Sequence, residues 1–152
     1  MGRSSIPTVQ ILIGLPGSGK STWAAGQTGA VVLSSDATRI LLCGDETNQT
    51  IHGAVFRTLR FVLRERLRLA QPRTIIDATN LRRRDRKPFL AIAAQFGARA
   101  EAIVFAPPLE VVLTRNAQRS RVVPPEVIQR MATRFELPTR GEGFARITSI
   151  GA

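Results

Sequence analysis

Gly14-Leu15-Pro16-Gly17-Ser18-Gly19-Lys20-Ser21, followed by Thr22, fits the pattern G-x-x-x-x-G-K-[ST]. Glycines let successive backbone N–H groups curl around phosphate oxygens, and a helix starting at the lysine adds its positive end. In that geometry Lys20 reaches the β- and γ-phosphates of a nucleotide, and the Ser21 hydroxyl ligates Mg²⁺. The alternative is a fortuitous Gly-rich turn. The phosphate reading requires a strand before the loop and a helix after it. Thr8–Ile13 is a short β-rich run that ends at Gly14, and Lys20–Gln27 reads as a helix.

The same alternation continues outward. Val31–Leu33, Thr74–Ile76 and Ala100–Phe105 read as strands, and Phe144–Ile147 as a fifth, less regular one. Between them, Thr50–Ala70 carries Ile51, Val55, Leu59, Val62, Leu63 and Leu67 at helical spacing. Asp85–Phe96 reads as a helix with Pro88 in its first turn, and Leu109–Gln118 and Pro125–Phe135 complete the set. Short apolar strands alternating with helices predict an α/β fold of βαβ units around a parallel sheet. Ligands of such sheets bind beyond the carboxyl ends of the strands. Gly14, Ser34–Asp36 and Asp77–Asn80 each follow a strand directly, so chemistry is expected where they converge.

The chain has 152 residues, which suits a single domain spanning 1–152 with its own core. Its hydrophobic content of 43% and charged content of 22% exclude long disorder, collagen-like sequence and a disulfide scaffold. Cys43 is the single cysteine and is expected as a buried small hydrophobe rather than a reactive thiol. Met1–Gln10 shows no signal-peptide core, and Ile6 stands where acylation at Gly2 wants Ser or Thr. With no apolar run of membrane-spanning length, a cytoplasmic protein without a membrane partner is expected. The net charge is +11, and lysine occurs only at Lys20 and Lys87, so 20 of the 22 cations are arginines. Arginine grips phosphate bidentately and stays charged when partly buried. Such a chain is drawn to polyanions, unless its arginines form only a solvated surface.

Several side chains around the loop are candidates for chemistry. Asp36 ends the second strand region, with Arg39 one helical turn on. A carboxylate there can accept a proton from an attacking hydroxyl, and Arg39 can grip an acceptor phosphate. The alternative is that Asp36 caps the turn containing Ala37–Leu42. Thr74-Ile75-Ile76-Asp77 resembles a Walker B strand, whose acid helps to hold Mg²⁺. Ala78 follows where motor ATPases commonly place a water-activating Glu, which favours transfer over hydrolysis. Asn80 orients Asp77 or a substrate, or makes an Asx turn. Arg115 and Arg119 share a helix face four residues apart, and Arg121 follows; a lid around 115–125 would put them on a transferring phosphoryl group, otherwise they form a solvated helix end.

Arg82, Arg83, Arg84, Arg86 and Lys87 crowd behind Asn80, on the chemical edge of the sheet, where they can hold a polynucleotide backbone. Arg57, Arg60, Arg64 and Arg68 make a second stripe, which also fits the charged face of an amphipathic helix. Few aromatics and no tyrosine argue against a long base-stacking platform and for recognition of one or a few terminal nucleotides. Trp23 is expected in helix–sheet packing and His52 as a structural or solvated residue; no Cys/His cluster supports zinc.

Taken together, GLPGSGKST, SSDATR, IIDATNL and LTRNAQRSRVVPPEVIQRMATRFELPTRGEGF resemble, in order and over nearly the whole chain, the P-loop polynucleotide 5′-hydroxyl kinases. Related domains of unassigned substrate are often called AAA-type ATP-binding proteins, a label that does not establish motor activity. The resemblance implies strand order 2-3-1-4-5, with ATP as phosphate donor beside the Mg²⁺ that Ser21 and Asp77 already suggest. It implies Asp36 as general base, Arg39 on acceptor phosphate, and Arg115 and Arg119 on donor phosphates. Asp77 matches the strand-three acid. The expected acceptor is the 5′ end of RNA or DNA. No D-x-D-G-T phosphatase signature is present, so other repair steps, such as ligation, would belong to other chains. The alternatives are a small-molecule kinase acting on a sugar, nucleoside or antibiotic, and a nucleotide-dependent regulatory ATPase module.

Overall fold

The computed structural model describes residues 5–151; Gly2 lies outside them. In chain order the elements are β1 (Thr8–Gly14), α1 (Lys20–Ala25), β2 (Val31–Ser34), α2 (Ser35–Cys43), α3 (His52–Arg68), β3 (Arg73–Asp77), α4 (Arg83–Gln95), β4 (Arg99–Phe105), α5 (Leu109–Ala117), α6 (Pro125–Thr133) and β5 (Arg146–Ile150). Short 3₁₀ turns occupy Gln49–Ile51 and Arg140–Glu142. The strands form one parallel sheet in the order β2-β3-β1-β4-β5, the order implied by the resemblance.

The central strand is buried on both faces, as a parallel sheet covered by helices requires. Val9, Ile11 and Ile13 face Val55, Leu59, Leu63 and Leu67 of α3 and Phe89, Ile92 and Ala93 of α4. Leu12, on the alternate face, packs with Ile75, Ile103, Phe105 and Ala24, and Trp23 closes over this cluster. Trp23 meets Phe105 edge-to-face at 6.0 Å, the helix–sheet packing expected of it. A third cluster, Leu15, Leu81, Val112 and Ile128, seats α5 and α6 beside the phosphate loop. In α3 the buried residues recur every four positions, and Arg57 and Arg68 lie on the exposed side.

Three expectations are corrected, and one alternative is set aside. The last strand is Arg146–Ile150, not Phe144–Ile147; Gly143 ends the preceding turn at φ +117°, and Phe144 is spent as a core anchor before pairing begins. Pro88 sits in the second turn of α4, because Asp85 accepts from the Arg82 N–H at 3.1 Å and the helix starts earlier, at Arg83. Asp36 is not the cap of α2: Ser34 Oγ accepts from the Ala37 N–H at 3.1 Å, and Asp36 lies within the first turn. Cys43 is exposed rather than buried. Helix α2 buries only Arg39 and leaves Ile40, Leu41 and Leu42 in solvent; Cys43 is its last residue, with Sγ turned back on the Arg39 carbonyl at 3.3 Å.

The basic cluster behind Asn80 divides in two. Arg83, Arg84 and Lys87 are exposed, whereas Arg86 is completely buried. Its Nε and Nη2 donate to the two carboxylate oxygens of Glu142 at 2.9 and 3.1 Å. Its Nη1 donates to the carbonyls of Asn80, Leu81 and Glu136. Burial pushes the Glu142 carboxyl up, but hydrogen bonds from Arg86 and the Thr139 N–H, with the Arg86 charge, hold it below its ordinary value. The DATN and GEGF stretches thus meet through one guanidinium. Arg86→Ala would leave Glu142 buried without its cation, and the expected loss is about 3–5 kcal/mol in urea unfolding. Adding Glu142→Leu should recover part of it. A single-variant loss below about 1 kcal/mol, the range of an exposed pair, would refute the clamp.

Candidate active site

The phosphate loop runs from β1 into α1 over the edge of the sheet. Gly17 and Gly19 hold φ of +82° and +101°, values that favour glycine. A Cβ at Gly17 would also approach the Val112 carbonyl at 3.1 Å, so the loop is fitted against α5. Lys20 is buried, and its Nζ donates to the Leu15 carbonyl across the loop at 2.9 Å. Ser18 Oγ is buried without a hydrogen-bond partner. A concave Gly-rich turn with an orphaned hydroxyl and a folded-over lysine fits the phosphates of a nucleotide.

Ser21 Oγ donates to Asp77 Oδ2 at 2.9 Å. The phosphate-loop hydroxyl and the strand-three carboxylate therefore stand side by side. Two hard oxygens suit Mg²⁺, which takes the rest of its shell from phosphate oxygens and water. Among the described residues no cluster of three His, Cys, Asp or Glu offers a self-sufficient metal site.

The register pairs Ser34 with Asp77, which brings the start of α2 alongside the end of β3. Asp36 thereby lines the same cleft as Ser21 and Asp77. Two guanidiniums reach its Oδ1: Arg39 Nη1 at 3.5 Å and Arg121 Nη1 at 3.3 Å. Arg39 is 4% exposed, and its Nε is buried without a partner.

Residues 118–124 join α5 to α6 over the cleft. Asn116 holds this segment by donating to the Val123 carbonyl at 2.6 Å and accepting from the Val123 N–H at 3.0 Å. Arg115 Nη1 reaches the Ser18 carbonyl at 3.4 Å, and Arg119 Nη1 is buried without a partner. The structure thus brings Lys20, Ser21, Asp36, Arg39, Asp77, Arg115 and Arg119 to one cleft of about 1260 Å³.

Other candidates stand apart. Arg82, Arg83 and Arg84 do not line the cleft; they sit where α4 begins, on the same carboxyl edge of the sheet. Asn80 is 2% exposed at φ +46°, with Nδ2 donating to the Leu12 carbonyl at 2.8 Å, so it braces β1 instead of facing an acceptor. Sequence reasoning missed several walls. Phe105 and Ile150 bound the cleft with Trp23 on the β4–β5 side, and Thr47, Gln49, His52 and Phe56 bound it on the α2–α3 side. His52 is exposed and lies over Phe56 at 4.6 Å. Only the helical i,i+4 spacing of His52 and Phe56 hinted at this pair.

A family model described as AAA domain matches residues 9–138. Among solved structures, a chain of the Pnkp1/Rnl/Hen1 RNA repair complex aligns with a TM-score of 0.72 and 24% identity, over 85% of this chain and 44% of that one. This chain therefore spans less than half of that protein. A gluconokinase from Sinorhizobium meliloti aligns at 0.64 and 19% identity, covering 95% of this chain and 82% of that one. The APS kinase CysC of Mycobacterium tuberculosis, solved with AMPPNP and APS, aligns at 0.60 and 16%, over 97% and 90%. No helix among the described residues is long and apolar enough to cross a membrane. With its phosphate loop, its 2-3-1-4-5 sheet and a family match over most of its length, the chain belongs to the AAA domain family and has the P-loop kinase fold.

Proposed function

We propose that this chain is a phosphotransferase that moves the γ-phosphate of ATP to the 5′-hydroxyl end of RNA or DNA. The observation that carries this reading is one continuous cleft with a phosphate cradle at its floor and an arginine-flanked carboxylate, Asp36, beside it. The acceptor oxygen bonds to the γ-phosphorus as the bond to the bridging oxygen of the β-phosphate breaks. Asp36 takes the hydroxyl proton, and ADP leaves with the electron pair. Lys20, Arg115 and Arg119 stabilise charge on the donor phosphates, and Arg39 holds an acceptor phosphate. Ser21 and Asp77 would hold Mg²⁺, which when bound neutralises charge on the phosphate oxygens.

The net charge of +11 and the similarity to a chain of an RNA repair complex support a polynucleotide acceptor. We read residues 1–152 as one kinase domain whose 115–125 segment is the lid. Ligase and other repair proteins are its proposed partners. The second reading, a small-molecule kinase, is favoured by the fuller mutual coverage with the gluconokinase and APS kinase. Transfer of labelled γ-phosphate to 5′-hydroxyl RNA and DNA oligonucleotides, beside gluconate and other small alcohols, separates them. Labelled small alcohols with unlabelled oligonucleotides would overturn the first reading. ADP release with no phosphorylated acceptor would revive the regulatory ATPase.

Arg82, Arg83 and Arg84 then serve acceptor phosphates beyond the cleft. Three cations at a helix start oppose its dipole, an arrangement that a nearby phosphate relieves. Replacing all three with Gln should weaken oligonucleotide binding. The log–log salt dependence should flatten by roughly 0.7 for each single-strand phosphate no longer neutralised. An unchanged slope would leave them as solvated surface.

A further inference from the structure

Arg121 has no part in the transfer step just described, yet its Nη1 is 3.3 Å from the Asp36 carboxylate. It shares Oδ1 with Arg39, but the two are held differently. Arg39 comes from α2 itself and is 5% exposed as a side chain; Arg121 reaches in from the α5–α6 segment and is 23% exposed. Its contact is a single hydrogen bond to a carboxylate that is 44% exposed, the kind of pair that exchanges readily. A phosphate offers the same guanidinium two charge-assisted bonds. Water and neutral alcohols offer no charge with which to compete.

We propose that Arg121 is a selectivity latch: it occupies Asp36 until an anionic acceptor draws its guanidinium away, and so keeps water from taking the phosphoryl group. The inference rests on Asp36 acting as the base. Arg119, two residues earlier, keeps its buried Nη1 for the donor side, so residues 119–121 divide between the two substrates. Release needs only rotation of the Arg121 side chain, with Asn116 still holding Val123. In the reaction the latch suppresses, a water oxygen bonds to the γ-phosphorus and the bond to the β-bridging oxygen breaks. ADP and inorganic phosphate form, and the water proton goes to Asp36.

The test compares wild type, Arg121→Gln, Asp36→Asn and the double variant. Without acceptor, ATP hydrolysis by Arg121→Gln should rise about two- to fivefold, the ratio to which the strength of an exposed ion pair converts. With saturating 5′-hydroxyl oligonucleotide, the ratio of transfer to hydrolysis should fall. The rise should vanish in the double variant, because it requires the carboxylate. Limited trypsin digestion of nucleotide-free protein gives a reading independent of catalysis: Asp36→Asn should speed cleavage after Arg121 relative to other sites. Unchanged or lower hydrolysis in Arg121→Gln, a rise that persists in the double variant, or unchanged cleavage would overturn the latch. A wild-type protein that phosphorylates no oligonucleotide would overturn the polynucleotide reading, while the hydrolysis comparison still decides the latch.

Discussion

Asp36→Asn is expected to cut transfer sharply while leaving nucleotide binding in place. The carboxylate stands in the cleft with Ser21 and Asp77, and on the proposed reading it receives the acceptor's proton. The amide keeps its size but cannot take a proton. General-base assistance is typically worth about 10²–10⁴-fold, so single-turnover transfer should fall within that range. The fold should survive, since Ser34 and not Asp36 caps α2. Removing one negative charge from the cleft should leave ATP affinity unchanged or slightly higher. The measurement is nucleotide titration beside transfer on the same folded protein. Undiminished transfer would send the search for the base to Asp77. Parallel loss of ATP binding would place Asp36 in the Mg²⁺–nucleotide site instead.

The phosphate loop is legible in the sequence because its geometry is local. Gly14 to Ser21 is continuous, and backbone N–H groups do the work, so spacing alone specifies the cradle. Asp77 is legible because its strand ends at a defined edge of the sheet. The Asp36 side of the cleft is harder, since its contacts cross the chain. Nothing in the spacing of Arg121 shows that it meets Asp36, 85 residues earlier. Arg86 shows the limit most clearly. Among the five cations behind Asn80 it reads as a contact for a polynucleotide backbone, yet it lies on the inward face of α4 and pairs with Glu142. Its spacing to the core residues Phe89, Leu90 and Ala93 places it on that face, but nothing in the sequence shows its pairing with Glu142, 56 residues later. Asn116 is similar: it stands between Arg115 and Arg119 with nothing in its spacing to mark it, but it braces the loop that carries Arg119 and Arg121.

Lys20 joins the catalytic prediction to one about protons. In the nucleotide-free protein its ammonium is brought down from 10.5 to about 8. Burial is the main cause; Asp77 and Asp36 oppose it, and Arg119 adds to it. The folded value lies below the unfolded one, so between pH about 8 and 10.5 the unfolded chain binds more protons and stability rises with pH. Below pH about 8 the charged lysine costs the empty protein stability. Lys20→Met should remove that cost, and the thermal midpoint of the nucleotide-free protein should hold or rise. Transfer should nevertheless fall by about 10²–10³-fold, because the charge beside the β/γ bridge is gone. Phosphates restore the value that burial depresses, so ATP binding just above pH about 8 should take up protons, and affinity should weaken as pH climbs further. Calorimetry in two buffers of different ionisation enthalpy reads this uptake directly. Wild type should show it and Lys20→Met should not. Equal uptake by both, or near-normal turnover by the variant at saturating ATP and Mg²⁺, would remove Lys20 from the donor site.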